Sequence, residues 1–462
     1  MENIMRPLSV HEASFPVYAE LSPGGGNIVV CLRLQGELSP ELAEEGLKKL
    51  MKAEVSLRAA CRWLHPEGEP EDYYFVKAGE SELPFESIVL EGNSEDDDFE
   101  AAIAKVRSTL LNQPFQAGKL LWRARLVSSA QQHCLVFCIN HCVSDGTSVY
   151  YFMNRWLEAL NKDAHLAATR DELELPLWHY MPQKISGFLG AFRSLGILST
   201  FMKAQKLADQ GLSFKVNVNV PIMEHRCRST FRTLDQKSFT GLLKLVKDNG
   251  KSIHGLMSAA MLNTLLLDCQ KSGRLENTKR VFSIPFVTTV NVRDKISPPV
   301  DDSVAGCLSS GVTSMVRVDK ARIDGQYQQS PWDLGDQVAS GVTDALDEDQ
   351  HWKVLRIYKL AGLKGLKKMF IDSSEKALAT PLSFANLGRV TFGGIAESEA
   401  FSVTGYEVYA AFHASGAGVN IVASSLNGVL TICFTCPDPV VSQDTLNAYA
   451  DSVIEQLKQW AK

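Results

Sequence analysis

The sequence predicts a mixed α/β protein, with mixed sheets of the α+β kind and helices spread over two halves. Two patterns and the chain length carry that expectation. Short apolar runs rich in Val, Ile, Cys and Phe alternate with longer runs of helical period. A stretch of different character, about 164–211, separates two groups of such runs. At 462 residues the chain is long enough for two large domains, a single domain holding roughly 150 residues. The expected organisation is a first half over 1–180, a crossover linker over 181–212 and a second half over 213–462.

Taken in order, strands are expected at 28–34, 73–76, 120–127, 134–140, 215–220, 281–292, 418–424 and 429–435. Helices are expected at 39–51, 99–111, 148–161, 239–247, 253–269 and 443–460. Ser39 and Pro40 suit the cap and first position of the first of these. Residues 91–100 hold six acidic side chains around Gly92, Asn93 and Ser94, and read as a solvated loop. Residues 185–202 form an apolar segment with Phe188, Leu189, Phe192, Leu195, Leu198 and Met202 at helical spacing. A linker helix packed on the body is the plainer reading, and an interfacial membrane helix the sharper one. No short-period repeat or low-complexity tract is present.

Composition narrows the function. Hydrophobic residues make up 45% and charged residues 22%, which excludes wholesale disorder. Lys plus Arg is 47 against 53 Asp plus Glu, a net charge of −6. A nucleic-acid binder needs the opposite balance, so the expected partner is a small molecule or another protein. Ten scattered cysteines, several within apolar runs, read as free thiols in a reducing compartment. No basic-then-apolar leader precedes residue 20, and no uncharged apolar run reaches the ~18 residues of a spanning helix. A cytoplasmic, soluble monomer is expected.

The most informative segment is 134–148, Cys-Leu-Val-Phe-Cys-Ile-Asn-His-Cys-Val-Ser-Asp-Gly-Thr-Ser. An apolar strand ends at His141, a turn carries Asp145 and Gly146, and a helix begins near Ser148. His141 thus sits at the carboxyl end of a buried strand, where α/β proteins collect reactive groups. With an unperturbed pKa of about 6.5, a histidine there can serve as a general base. Asp145, held in the turn, is placed to fix the loop that aims the imidazole, and Gly146 permits the bend. A satisfied histidine at a strand end would show the same spacing, so the pattern alone leaves both readings open.

A zinc site is the competing chemistry, because His133, Cys134, Cys138, His141 and Cys142 crowd one segment. Strand geometry opposes it. His133 and His141 stand roughly 26 Å apart on an extended strand, and Cys134 and Cys138 face the other side. Cys433 and Cys436 form a lone pair within an apolar strand. No metal is expected.

The segment His141-Cys-Val-Ser-Asp-Gly146 resembles the active-site signature of acyltransferases with the chloramphenicol-acetyltransferase-like fold. That superfamily includes plant BAHD enzymes, alcohol acetyltransferases, polyketide-associated acyltransferases, wax ester synthases and peptide-synthetase condensation domains. Further segments match in the same order along nearly the whole chain. They are Arg6-Pro-Leu-Ser9, Gln113-Pro-Phe115 with Leu121-Trp-Arg123, Ser252-Ile-His-Gly-Leu-Met-Ser-Ala-Ala260, Asn291-Val-Arg293 with Pro298, Pro299 and Gly306, and Ser383-Phe-Ala-Asn-Leu-Gly388. Two departures matter. Asn140 stands where condensation domains carry a first histidine, and the Asp-Phe-Gly-Trp-Gly motif of plant BAHD enzymes is missing. Both draw the resemblance toward small O-acyltransferases of the alcohol acetyltransferase or polyketide-associated type.

The resemblance implies two related halves meeting at a channel with His141 at its centre. The donor would be a thioester, acyl-CoA or an acyl carrier protein, and the acceptor a small-molecule alcohol or amine. No cofactor is implied beyond acyl-CoA as donor substrate. His141 would take the acceptor's proton, with no covalent enzyme intermediate. Oxyanion donors would come from the Gly146 amide, Asn386 or Ser383, though Asn386 reads equally as a turn residue bonding its own backbone. Arg293 reads as a surface charge after a strand or, as the resemblance implies, as the partner of Asp145 inside the channel; its apolar neighbours Val287, Val290 and Val292 favour a partly buried guanidinium, which requires a carboxylate. His254 reads as a half-buried helix residue, and His413 is placed to line the acceptor side. An amide-forming condensation enzyme and a noncatalytic binding module of the same fold are the alternatives. A serine hydrolase is disfavoured, as no Gly-x-Ser-x-Gly occurs.

Overall fold

A computed structural model describes residues 4–63, 73–79, 82–90, 96–161, 166–168, 170–196, 212–323, 330–375, 380–393, 401–412 and 417–462. Among these residues fourteen strands form three sheets. A small sheet has β1 (Ile4–Pro7), β4 (Tyr73–Lys77) and β3 (Ala59–Trp63) in that spatial order. The first large sheet is ordered β12 (Phe401–Ala410), β2 (Asn27–Gly36), β7 (Gln132–Asn140), β6 (Trp122–Ser128), β5 (Phe85–Val89). The second runs β10 (Ser309–Asp319), β9 (Val281–Asn291), β11 (Thr380–Val390), β13 (Ala417–Leu426), β14 (Val429–Asp438), β8 (Arg226–Leu234). Eleven helices clothe them, so the architecture is the mixed α/β fold that the sequence predicts.

The strand that leads to the site is legible because both of its faces are covered. On β7, Leu135, Phe137 and Ile139 pack with Val149, Phe152, Met153 and Trp156 of α4 (Gly146–Ala159). Cys134, Val136 and Cys138 pack instead against Phe99, Ile103 and Leu110 of α3 (Asp96–Asn112). The sheets also cross the expected linker. β12 comes from the stretch assigned to the second half, yet pairs antiparallel with β2, with Ala410 opposite Ile28. Both large sheets therefore draw on the later part of the chain.

Several elements escape the sequence patterns, β3, β5, β8, β10 and β12 among them. α1 (Val10–Leu21) contains Pro16 and buries most of its circumference, so it lacks a clear amphipathic period. Ser9 and Glu12 nonetheless form a capping box at its start. α9 (Trp332–Asp347), α10 (Gln350–Glu375) and β11 also went unpredicted. α10 is broken at Gly362, where φ is 62° and ψ is 176°. Its later turns stack Phe370 on Tyr18 of α1 at 4.1 Å. The predicted helices appear as α2 (Pro40–Ala53), α7 (Gln236–Asp248), α8 (Ile253–Lys271) and α11 (Gln443–Trp460), with α3 and α4.

Three expectations are corrected. Residues 215–220 are irregular rather than a strand, joined to the body by Asn217 N–H donating to Val440. The acidic stretch is not loop throughout: α3 begins at Asp96, where its acidic first turn suits the positive end of a helix, while 91–95 lie outside the described residues. The apolar linker is not one helix, because Gly187 breaks it into α5 (Gln183–Ser186) and α6 (Phe188–Ser194). Ile185 is buried with Leu177, Val292 and Trp352, whereas Phe188 is 78% exposed. Residues 197–202 lie outside the described residues. Among the described residues no helix is long and apolar enough to cross a membrane.

Candidate active site

His141 follows the last residue of β7. Its backbone N–H donates to Gly26 (2.8 Å), which fixes the residue at the edge of β2. The imidazole lies face to face with Phe15 of α1, centroids 4.5 Å apart and planes 11° from parallel. Phe412 packs on it at 5.2 Å, and Cys307 Sγ lies 3.8 Å from Nδ1. This burial pushes the imidazole pKa down to about 4; Asp145 pulls it up and His11 pushes it further down. At neutral pH the ring is an uncharged base.

Asp145 is spoken for on both oxygens. As the N-cap of α4, its Oδ1 accepts from the Ser148 amide (2.9 Å) and the Ser148 hydroxyl (2.8 Å). Oδ2 accepts from Arg293 Nη1 (2.8 Å) and the Leu308 amide (2.9 Å), while Arg293 Nη2 donates to Oδ1 (3.2 Å). Arg293 also donates to Ser148 Oγ (3.1 Å), Val304 O (2.9 Å) and Asn291 Oδ1 (3.3 Å). Both side chains are 2% exposed. Burial alone would raise the carboxyl pKa, but the Arg293 guanidinium and the Ser148 bonds hold it below the ordinary aspartate value. A carboxylate with every lone pair occupied cannot act as a base. It joins the turn after β7 to the segment 291–308 and fixes the imidazole's surroundings.

His141 opens onto a cavity of about 370 Å³ that Gly146, Thr147, Tyr150, Asn291 and Asn386 also line. Gly146 is the first residue of α4, so its N–H lacks an intrahelical partner. No other acceptor meets it among the described residues. A Cβ there would come within 2.7 Å of Leu387 Cδ2, so glycine also keeps the cavity open. Asn386 Oδ1 accepts from the Gly388 amide (3.0 Å) in a turn where Gly388 takes φ 73°, which leaves the Asn386 NH₂ as the group available to a ligand. Ser383 lies earlier on β11 and is outside the cavity lining.

The remaining histidines and cysteines sit elsewhere. His254 stacks on Phe384 at 4.8 Å and shares a hydrogen bond with Thr288 Oγ1 (3.3 Å), half-buried on α8. His413 lies outside the described residues. His133 bonds Ser128 Oγ and Gly36 O, each at 3.0 Å, while Cys134 and Cys138 face α3. All ten cysteines are buried free thiols. No group of three or more metal-ligating side chains converges among the described residues. Sequence reasoning missed Phe15, Phe412 and Cys307. Phe15 lies on the unpredicted α1, and nothing in the local sequence marks the other two.

Residues 224–425 match the family model for the phthiocerol/phthiodiolone dimycocerosyl transferase C-terminus. A plipastatin synthase polypeptide of Bacillus subtilis (strain 168) is 27% identical over 262 residues, covering 55% of this chain and 9% of that protein. The chain thus spans about a tenth of the length of the curated relatives it matches. The trichothecene 15-O-acetyltransferase of Fusarium sporotrichioides superposes with a TM-score of 0.69 at 12% identity, over 98% of this chain and 95% of that one. The first condensation domain of the CDA synthetase superposes at 0.66 with 15% identity, over 100% and 97%. The superpositions show that the chain has the two-lobed mixed α/β fold of acetyltransferase and condensation domains, and the match over 224–425 adds a similarity to an acyltransferase family across the later part of the chain.

Proposed function

We propose that this protein transfers an acyl group from a thioester donor to the hydroxyl of a small-molecule acceptor, with His141 as general base. The observation that carries the reading is an uncharged, buried imidazole on the wall of a cavity that Gly146, whose helix-terminal amide has no intrahelical partner, also lines. The acceptor O–H gives its proton to Nε2 as its oxygen bonds to the thioester carbonyl carbon. The developing oxyanion takes hydrogen bonds from the Gly146 amide and the Asn386 NH₂. Collapse breaks the C–S bond, and the thiolate recovers the proton from the imidazolium. Asp145 and Arg293 hold the loop and do not touch the reacting atoms. Acyl-CoA is the proposed donor.

Amide formation from a carrier-bound donor is the second reading. The likeness to a condensation domain and to a plipastatin synthase favours it. Incubating the protein with a panel of acyl-CoAs and either alcohols or amines, with mass detection of products, separates the two. Ester products with acceptor-dependent thiol release support the proposal. Amide products favour the second reading, acceptor-independent release means hydrolysis, and no release with CoA or carrier-bound donors means binding only.

A further inference from the structure

A neutral imidazole carries one N–H, and its position decides whether His141 can work. If the proton sits on Nε2, the nitrogen facing the cavity has no lone pair to accept from an acceptor hydroxyl. Cys307 Sγ lies 3.8 Å from Nδ1, within reach of a weak sulfur hydrogen bond. With His141 as base, Nε2 keeps its lone pair and Nδ1 carries the N–H, so the sulfur faces an N–H rather than a lone pair.

We infer that Cys307 is a positioning residue: its sulfur accepts from Nδ1–H and holds His141 in the tautomer whose Nε2 lone pair faces the cavity. This rests on the reading of His141 as base. Phe15 and Phe412 fix the plane of the ring, and Cys307 discriminates between its two edges. An acyl-carrying role for the same thiol does not fit, because Cys307 is 3% exposed and lies outside the cavity lining. Burial also pushes the thiol pKa well above its ordinary value, so it remains an uncharged S–H.

The test reads the tautomer without any substrate. The intact protein, with ¹⁵N-labelled histidine, is examined at pH 7 by long-range ¹H–¹⁵N correlation, the His141 signals being assigned by their loss in His141→Asn. Wild type should show a single Nδ1–H form. Cys307→Ala should shift the tautomer ratio about five-fold toward Nε2–H, the worth of one modest hydrogen bond. Cys307→Ser, which keeps an acceptor, should restore the wild-type pattern. If Cys307→Ala does not fold, Cys307→Val carries the same expectation. An Nε2–H form in wild type, or an unchanged ratio in both apolar variants, overturns the inference. Failure of the base reading looks different, since His141→Ala would then retain transfer whatever the tautomer.

Discussion

The imidazole of His141 owes its surroundings to where β7 stops. One residue beyond the strand, it is stacked on Phe15 and closed in by Phe412, so the charged form loses its water and the neutral form persists. The pH dependence follows directly. A general base must be unprotonated in the free enzyme, and the folded pKa of about 4 lies below the ordinary 6.5. kcat/KM should therefore stay level from pH 7 down to about 5 and fall ten-fold per pH unit below about 4. Assays that return each sample to pH 7 separate this limb from acid unfolding. A limb near pH 6.5 would show that the imidazole is solvated. The places of His141, Asp145 and Gly146 at a strand end and in the turn after it were legible in the sequence, because an apolar run stops there in turn residues, whereas their chemistry came only from the resemblance. Cys307 was not, since a lone cysteine inside a loop gives no local signal of what it faces.

Among the elements, α4 and the segment 291–308 are locked together by Asp145 and Arg293. The carboxylate caps the helix and receives the guanidinium through two parallel bonds, an arrangement that lysine could not reproduce. Removing either partner strands the other charge in the interior, at a cost of about 3–5 kcal/mol. Asp145→Ala and Arg293→Ala should each lower the melting temperature and the activity. The double variant should be clearly less destabilised than the sum of the two, by denaturant titration. Strict additivity would contradict the pairing. Elements with strong periods were readable for ordinary reasons: β7 is apolar on both faces, and α2 carries its Ser39 cap and Pro40. α1 was not, because Pro16 and near-complete burial erase its period. Residues 215–220 show the converse, an alternating pattern without a neighbouring strand to pair with.

The whole molecule is held together by the passage of β12 into the first large sheet. Glu407 on this strand is 2% exposed and accepts from Arg33 Nε of β2, with Arg107 of α3 at 3.6 Å and the Tyr409 hydroxyl on its other oxygen. Glu407→Ala would leave the buried Arg107 guanidinium without a carboxylate and the half-buried Arg33 with Glu100 alone. We expect a loss of about 3 kcal/mol or more, read as a lower denaturation midpoint, whereas a midpoint within error of wild type would exclude a structural role for the cluster. Such long-range pairing was invisible in the sequence. Arg33 and Glu407 are 374 residues apart, and strand periodicity says which face is buried but not which strand lies alongside. The division at 181–212 followed composition, while the sheets follow hydrogen bonds that cross it.

The central claim is that His141 removes the acceptor's proton while the rest of the site only holds and stabilises. The most direct test is acyl-CoA thiol release, with and without an alcohol acceptor, by wild type and by His141→Ala matched for melting temperature. The prediction is acceptor-dependent release in wild type and a drop of about 10²–10⁴-fold in the variant. Equal acceptor-dependent rates in the two proteins would contradict it.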